Sequence, residues 1–359
     1  MKILAFGDLH LGAGADYRLR DQEKVLGQIV ELARGVEFVL FSGDVFHRRR
    51  PGPEEQRVWR DFVYNLETPL LAIAGNHDVS SAETISAMEL PLFKAYTVAR
   101  KPGTHFYGDV AVSCLPWAPA AHVVAARNGD RTGLSEDIAE VLVKQAADLY
   151  DSASADTGTN ILLAHWAVSG FSLPTGLATE ELREPVLPLT ELQKIGYDWV
   201  VLGHIHKAGA VDRIFYTGSP CVVDWGEADE PHGCWTIDTT TRHIKFHESA
   251  DRRFLTISPE ALAGGIRPDV SDGALVRIRG AAPDDFDADF YRRRLLEMGA
   301  ERVSLQLDIV RKDRPQVEGV DEELSVLEAL RLYCAGRDVV AETGLLLDRA
   351  AGYLEEEVA

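Results

Sequence analysis

The chain has 359 residues, 46% of them hydrophobic and 26% charged, and a formal net charge of -20. That length supports a sizeable core and favours two domains or more, and the composition is that of a globular protein. The acidic balance excludes a simple nucleic-acid-binding module, which grips phosphate through a basic face; it leaves room for a nuclease whose positive field comes from bound metal ions and a partner subunit.

The amino terminus enters a strand at once, with no basic segment followed by an apolar core and a small-residue cleavage site, so the expectation is a cytoplasmic protein. No apolar run approaches the roughly 20 residues that span a bilayer, and no membrane association is expected. Cys114, Cys221, Cys234 and Cys334 are scattered without a CxxC pair and read as reduced core thiols.

From residue 1 to about 250, short apolar runs alternate with helical stretches, the pattern of strands inside an α/β layered domain. Lys2 to Phe6 is a predicted strand that runs into Gly7-Asp8-Leu9-His10. Asp21 to Arg34 sets Val25, Leu26, Ile29, Val30 and Ala33 on one helical face. The strand Phe38 to Phe41 leads to Ser42-Gly43-Asp44, and Pro53 opens a helix with Val58, Trp59, Phe62, Val63 and Leu66 inward. Leu70 to Ala74 ends in Gly75-Asn76-His77-Asp78. Ser81 to Phe93 reads as a short helix ended by Pro91, Val110 to Cys114 as a strand, and Leu134 to Tyr150 as a long helix. Ile161 to Ala164 leads into His165, followed by a Pro-, Gly- and Thr-rich loop to about Pro188 whose length suits a functional rim.

Thr190 to His206 gives a short helix, a turn at Gly196 and the strand Trp199 to Leu202, which ends in Gly203-His204-Ile205-His206. Ala208 to Asp212, Ile214 to Thr217, Gly233 to Asp238 and His243 to His247 read as strands of a meander. Near Ser249 the pattern changes. Strands at Phe254 to Ile257 and Ala274 to Arg279, a helix from Phe286 to Met298 and a strand from Arg302 to Val310 make a small second α/β domain. Asp321 to Cys334 and Asp338 to Glu357 are two amphipathic helices separated by Gly336, with apolar stripes that fit either intradomain packing or partner docking.

Five predicted strands thus end in metal-ligand chemistry. Residues two apart in an extended strand face the same side, so Asp8 with His10, and His204 with His206, can each offer two ligands to one cluster. Asp44 adds a carboxylate able to bridge two ions, Asn76 a carbonyl oxygen and His165 another imidazole. The mixed oxygen and nitrogen set suits Mn, Fe or Zn. Two dications met by only Asp8 and Asp44 as charged ligands would keep positive charge, attract a phosphate ester and acidify a bridging water. His77 follows Asn76 and is a candidate to contact the phosphate and protonate the leaving oxygen, with Asp78 expected to orient its ring.

The order Asp8-x-His10, Gly43-Asp44, Gly75-Asn76-His77-Asp78, His165 and Gly203-His204-x-His206 resembles the calcineurin-like metallophosphoesterases from Met1 to about His247. The resemblance implies a two-sheet sandwich flanked by helices. It also implies a dinuclear site, with Asp8, His10, Asp44 and His206 on one ion and Asp44, Asn76, His165 and His204 on the other. Gly43-Asp44-Val45-Phe46-His47 followed by Arg48-Arg49-Arg50-Pro51, together with Phe215 to Pro220 and Trp225-Gly226-Glu227, is similar to the SbcD nuclease subunits of double-strand-break repair complexes. By that likeness His47 serves the phosphodiester site, and Arg48, Arg49 and Arg50 are either DNA contacts or a solvated run.

The likeness further implies a nuclease domain over residues 1–250, a capping domain over 251–315 and a helical tail over 316–359 that docks on the coiled coil of an SbcC-like ABC-type ATPase, with a homodimer inside a heterotetramer. The expected activity is a Mn²⁺-dependent DNA nuclease, exonucleolytic on duplex ends and endonucleolytic on single strands and hairpins, in repair and recombination. The alternatives are a phosphodiesterase of cyclic nucleotides or other small esters, and a non-catalytic adaptor.

Overall fold

The computed structural model describes residues 1–14, 18–79, 86–91, 95–118, 134–154 and 157–310, with 328–329 and 331–332. The described chain divides into two compact units. The first is Met1–Leu255 with Val270–Leu275 and Gly299–Arg302; the second is Thr256–Asp269, Val276–Met298 and the described residues from Val303 onward.

In the first unit β1 (Lys2–Phe6), β2 (Phe38–Phe41), β3 (Leu70–Ile73) and β4 (Tyr96–Ala99) run parallel. Both faces of β1 beyond Lys2, of β2 and of β3 are buried, which is why they read as unbroken apolar runs. Along β1, Ile3 and Ala5 point into one core while Leu4 and Phe6 point into another. A second sheet contains β5 (Gly103–Tyr107), β6 (Val110–Leu115), β7 (Thr159–His165), β10 (Trp199–Gly203), β12 (Ile214–Tyr216) and β11 (Gly209–Val211), in spatial order β11-β12-β10-β7-β6-β5.

The two sheets face each other across Ile3, Ala5, Phe38 and Leu40 on one side and Val112, Ile161, Val201 and Phe215 on the other. Outside the first sheet lie α1 (Arg18–Ala33), through Val25, Leu26 and Ile29, and α2 (Pro53–Asn65), through Val58, Trp59 and Phe62. Outside the second lie α3 (Leu134–Ala153), through Ile138, Leu142 and Ala146, and α4 (Leu189–Ile195), through Leu192. The unit is an α/β/β/α sandwich. Each helix buries the 3.6-period stripe its sequence carries.

The expected meander is corrected. β11 and β12 belong to the second sheet, where β12 pairs parallel with β10. The chain then crosses through 217–232, and β13 (Gly233–Asp238) and β14 (His243–Glu248) extend the first sheet, with β13 antiparallel to β1. Pairing with β13 covers the edge that β1 would otherwise expose, which outweighs the shorter connection of a continued meander. The loop after His165 carries two short paired strands, β8 (Ala167–Val168) and β9 (Val186–Leu187).

Strands β15 (Phe254–Ile257), β16 (Leu275–Pro283) and β17 (Arg302–Val310) form a three-stranded sheet. The second unit also holds α5 (Pro259–Ala263) and α6 (Ala288–Glu297). α5 was not foreseen, although Ser258-Pro259-Glu260 carries its start signal: the Ser258 hydroxyl accepts from the Ala261 N–H at 3.1 Å and Pro259 opens the first turn.

Of the helix expected over Ser81 to Phe93, the described part is a 3₁₀ turn at Ala87–Glu89, closed by a reciprocal Ser86–Glu89 cap. The remainder, and the helices expected at Asp321 to Cys334 and Asp338 to Glu357 apart from residues 328–329 and 331–332, lie outside the described residues. Cys114, Cys221 and Cys234 are buried free thiols. Among the described residues no helix is long and apolar enough to cross a membrane.

Candidate metal centre

Parallel strands aim their carboxyl ends the same way, and the loops that leave them are the usual ligand sites of open α/β sheets. Here β1, β2 and β3 deliver Asp8, Asp44 and Asn76 from one sheet, and β7 and β10 deliver His165 and His204 from the other. The turns are tight enough to force unusual backbone. Asp8, His10, Asp44 and His204 have φ of 48°, 46°, 60° and 93°, four of the six non-glycine residues with positive φ among those described. Each such residue costs about 1–3 kcal/mol, and such costs cluster where a site over-determines the backbone. Gly75 is needed for close approach: a Cβ there would collide with the Asp44 carboxylate and backbone.

The donor atoms converge. The Asp44 carboxylate is split between two tasks, with Oδ1 accepting the His77 N–H at 2.8 Å while Oδ2 lies 3.7 Å from His10 Nε2 and 3.4 Å from His165 Nε2. Asn76 Oδ1 lies 3.0 Å from His165 Nε2 and 3.1 Å from His204 Nδ1. Donor atoms of Asp8, His10 and His206 fall within 4.8 Å of one another, as do those of Asp8, Asp44 and His165. Asp8 also accepts the His204 N–H at 2.9 Å, tying the second sheet's loop to the first. All seven expected ligands are therefore brought together, with Asp44 Oδ2 between two groups of nitrogens.

A divalent pair fits this donor set. Both ring nitrogens of His10 are buried and have no hydrogen-bond partner, and a buried polar group left so costs about 1–3 kcal/mol unless a ligand takes it. Burial, and then the neighbouring His206, holds the His10 imidazole well below its ordinary value, so its lone pair is available. Burial opposes ionisation of Asp44, but the adjacent His165 holds its carboxyl below the usual range. Burial alone would lower His165; Asp44 reverses this and lifts it to about 9.

Two carboxylates that the motif reading did not place behind the histidines sit there. Glu184 Oε1 lies 2.5 Å from His204 Nε2, and the buried Glu227 Oε1 lies 2.6 Å from His206 Nδ1. Each carboxylate takes an N–H, which leaves Nδ1 of His204 and Nε2 of His206 as the lone pairs. Glu227 was visible only as part of Trp225-Gly226-Glu227; Glu184 comes from the rim loop, where no spacing marks it.

The expected role of Asp78 is corrected. Its oxygens accept the N–H groups of Asp44 at 2.8 Å, Gly75 at 3.0 Å and Val45 at 3.1 Å, so it clips the two ligand loops together. The His77 ring is instead held by His47, whose carbonyl contacts Nδ1 at 2.8 Å. His77 stands edge-on to His10 at 4.7 Å between ring centroids, and His47 is 5.8 Å from His77. Burial, then the proximity of His77, lowers the His47 imidazole. Arg48, Arg49 and Arg50 are exposed directly after His47.

Residues 1–208 match the calcineurin-like phosphoesterase family. The chain belongs to that family. This calcineurin-like phosphoesterase is 25% identical to Exonuclease subunit 1 of Enterobacteria phage T4 over 261 residues, 68% of this chain and 67% of that protein. It is 28% identical to the SbcD component of the nuclease SbcCD of Rhodobacter capsulatus over 280 residues, 68% of this chain and 69% of that protein. Over 98 residues, 25% of this chain and 22% of the other, it is 35% identical to the DNA double-strand break repair protein Mre11 of Archaeoglobus fulgidus. The family's chemistry and the converging donors make this phosphoesterase a metal-dependent hydrolase of phosphoesters.

Proposed function

We propose that the chain is a Mn²⁺-dependent DNA nuclease, cutting duplex ends exonucleolytically and single strands or hairpins endonucleolytically, as the nuclease component of an SbcCD-type repair complex. The observation that carries the reading is Asp44 Oδ2 set between His10 and His165, beside His10 nitrogens that nothing in the protein satisfies. The nuclease and repair names of the relatives support DNA as the substrate.

In this reading Asp8, His10, Asp44 and His206 hold one ion, and Asp44, Asn76, His165 and His204 the other. The ions, when bound, supply Lewis acidity toward the phosphodiester and an acidified water. His77, with Nδ1 fixed on the His47 carbonyl, presents Nε2 to the phosphate and hands a proton to the leaving oxygen. His47 lies beside it and limits how the diester sits. Arg48, Arg49 and Arg50 contact the DNA backbone outside the centre.

Residues 1–250 are read as the nuclease domain, 251–315 as the capping domain and 316–359 as the tail that docks on the coiled coil of an SbcC-like ATPase. The assembly is a homodimer within a cytoplasmic heterotetramer. Purified protein with Mn²⁺, assayed with and without such a partner, is expected to degrade linear duplex DNA. His77→Ala is expected to lose activity about 10²–10⁴-fold while binding the same amount of metal. Hydrolysis of cyclic nucleotides with no cleavage of DNA under either condition overturns the assignment.

A further inference from the structure

Beside the candidate centre lies a cavity of about 590 Å³ that the metal chemistry does not use. Its lining joins His204 and His206 to the apolar side chains of Leu173, Pro174, Leu177, Leu182 and Ile205. Leu177, 50% exposed, offers apolar surface at the cavity rim. The rim that carries it is built, not loose. The Leu173 N–H donates to the Leu177 carbonyl at 2.8 Å, the Gly176 N–H to Leu173 at 2.9 Å, and the buried Thr179 hydroxyl to Val168 at 2.7 Å. Phe171 packs edge-on against the core residue Tyr216 at 4.8 Å, fixing the base of the rim.

The charges define what can enter. Glu184, Asp224 and Glu227 line the cavity against a single guanidinium, that of Arg183. A second phosphate is repelled there. An uncharged group with apolar faces and N–H donors at its edge is complementary, since the flat faces meet leucine and proline while the edge meets the carboxylates of Glu184 and Asp224. Because His204 and His206 both line the cavity and reach the metal position, its occupant lies next to the phosphate being cut.

We propose that this cavity is a nucleobase subsite, holding the base next to the scissile phosphate after it has left the stack. The inference rests on the nuclease reading above and deepens it. A base inside an intact duplex cannot reach the cavity, and unstacking costs a few kcal/mol, least at a frayed or single-stranded position. The subsite therefore selects unpaired DNA and duplex ends that fray.

The test compares an ordinary single-stranded oligonucleotide with two versions in which the base on one side or the other of a defined cleavage position is replaced by an abasic residue. It uses wild-type protein and Leu177→Asp, with Mn²⁺ binding measured in both by calorimetry. Burial of one base against apolar side chains is worth enough that wild type is expected to lose about tenfold in kcat/KM on one abasic substrate. Leu177→Asp is expected to fall to that level on the intact strand, to lose nothing further on the abasic one, and to bind Mn²⁺ as wild type does. Wild-type indifference to both abasic replacements overturns the subsite and leaves the nuclease reading standing, as does retention of the full discrimination by Leu177→Asp. Absence of DNA cleavage by wild type that binds Mn²⁺ normally overturns the nuclease reading and the subsite with it.

Discussion

Behind His204 and His206 the carboxylates of Glu184 and Glu227 settle which nitrogen of each ring faces inward, and the two rings use opposite ones. Removing such a partner typically costs 10–100-fold in metal affinity. Glu184→Ala is expected to weaken one of the two Mn²⁺ binding events by about that factor in calorimetric titration, while Glu184→Gln, which keeps an acceptor oxygen, recovers part of the loss. Equal affinity in Glu184→Ala and wild type would remove the carboxylate from the centre.

At this scale the residues that converge were legible, because each lies just beyond an apolar run that reads as a buried strand. What supports them was not. Asp78 follows His77 in the chain and reads as its partner, yet it folds back onto backbone N–H groups 33 and 34 residues away in sequence. The left-handed backbone of Asp8, His10 and Asp44 has no signature either, since aspartate and histidine tolerate it without advertising it.

Among the elements, α1 is pinned by charge as well as by its apolar stripe. The buried Arg18 guanidinium donates to Asp21 at 2.8 Å and to Asp251 at 2.7 Å, and Asp21 in turn receives Arg252 at 2.9 Å. Breaking a buried pair by removing one partner leaves an uncompensated charge and costs about 3–5 kcal/mol. Arg18→Ala is therefore expected to destabilise the first unit by about that amount in urea melts.

Burial alone would raise the Asp21 carboxyl, but the Arg252 hydrogen bond and the charge of Arg18 outweigh it and hold the folded value below the ordinary one. Its contribution is thus fully present above the unfolded value of about 4 and is lost as pH falls through the lower folded value. Wild type should lose stability on acidification below about pH 4 more steeply than Asp21→Asn, and parallel pH profiles would rule the linkage out. Helix α1 is predicted from Val25, Leu26 and Ile29, but this network is not, since its members come from opposite ends of the first unit. The meander fails for a related reason: local patterning marks strands and leaves open which sheet receives them.

For the molecule as a whole, a net charge of -20 is an awkward property in a protein proposed to act on DNA. On the proposed reading the attraction is local, at the centre and at the exposed Arg48, Arg49 and Arg50, set against a strongly negative whole. Such a distribution would disfavour idle binding along the duplex and leave engagement to the bound ions and the proposed partner.

Asp8, Asp44 and Asn76 come from one β-sheet of the sandwich, and His165, His204 and His206 from the other. Divalent cations shared between them would act as rivets through the layers, so that catalytic loading and mechanical cohesion become one thermodynamic event. Mn²⁺ at a hundredfold excess over its dissociation constant should add about 2.7 kcal/mol per site to unfolding. A melting temperature indifferent to chelator would mean that the two layers hold together without help. With the rivets in place, metal starvation would not merely idle the enzyme: it would shorten the lifetime of the fold, and degradation would clear the unloaded copies first.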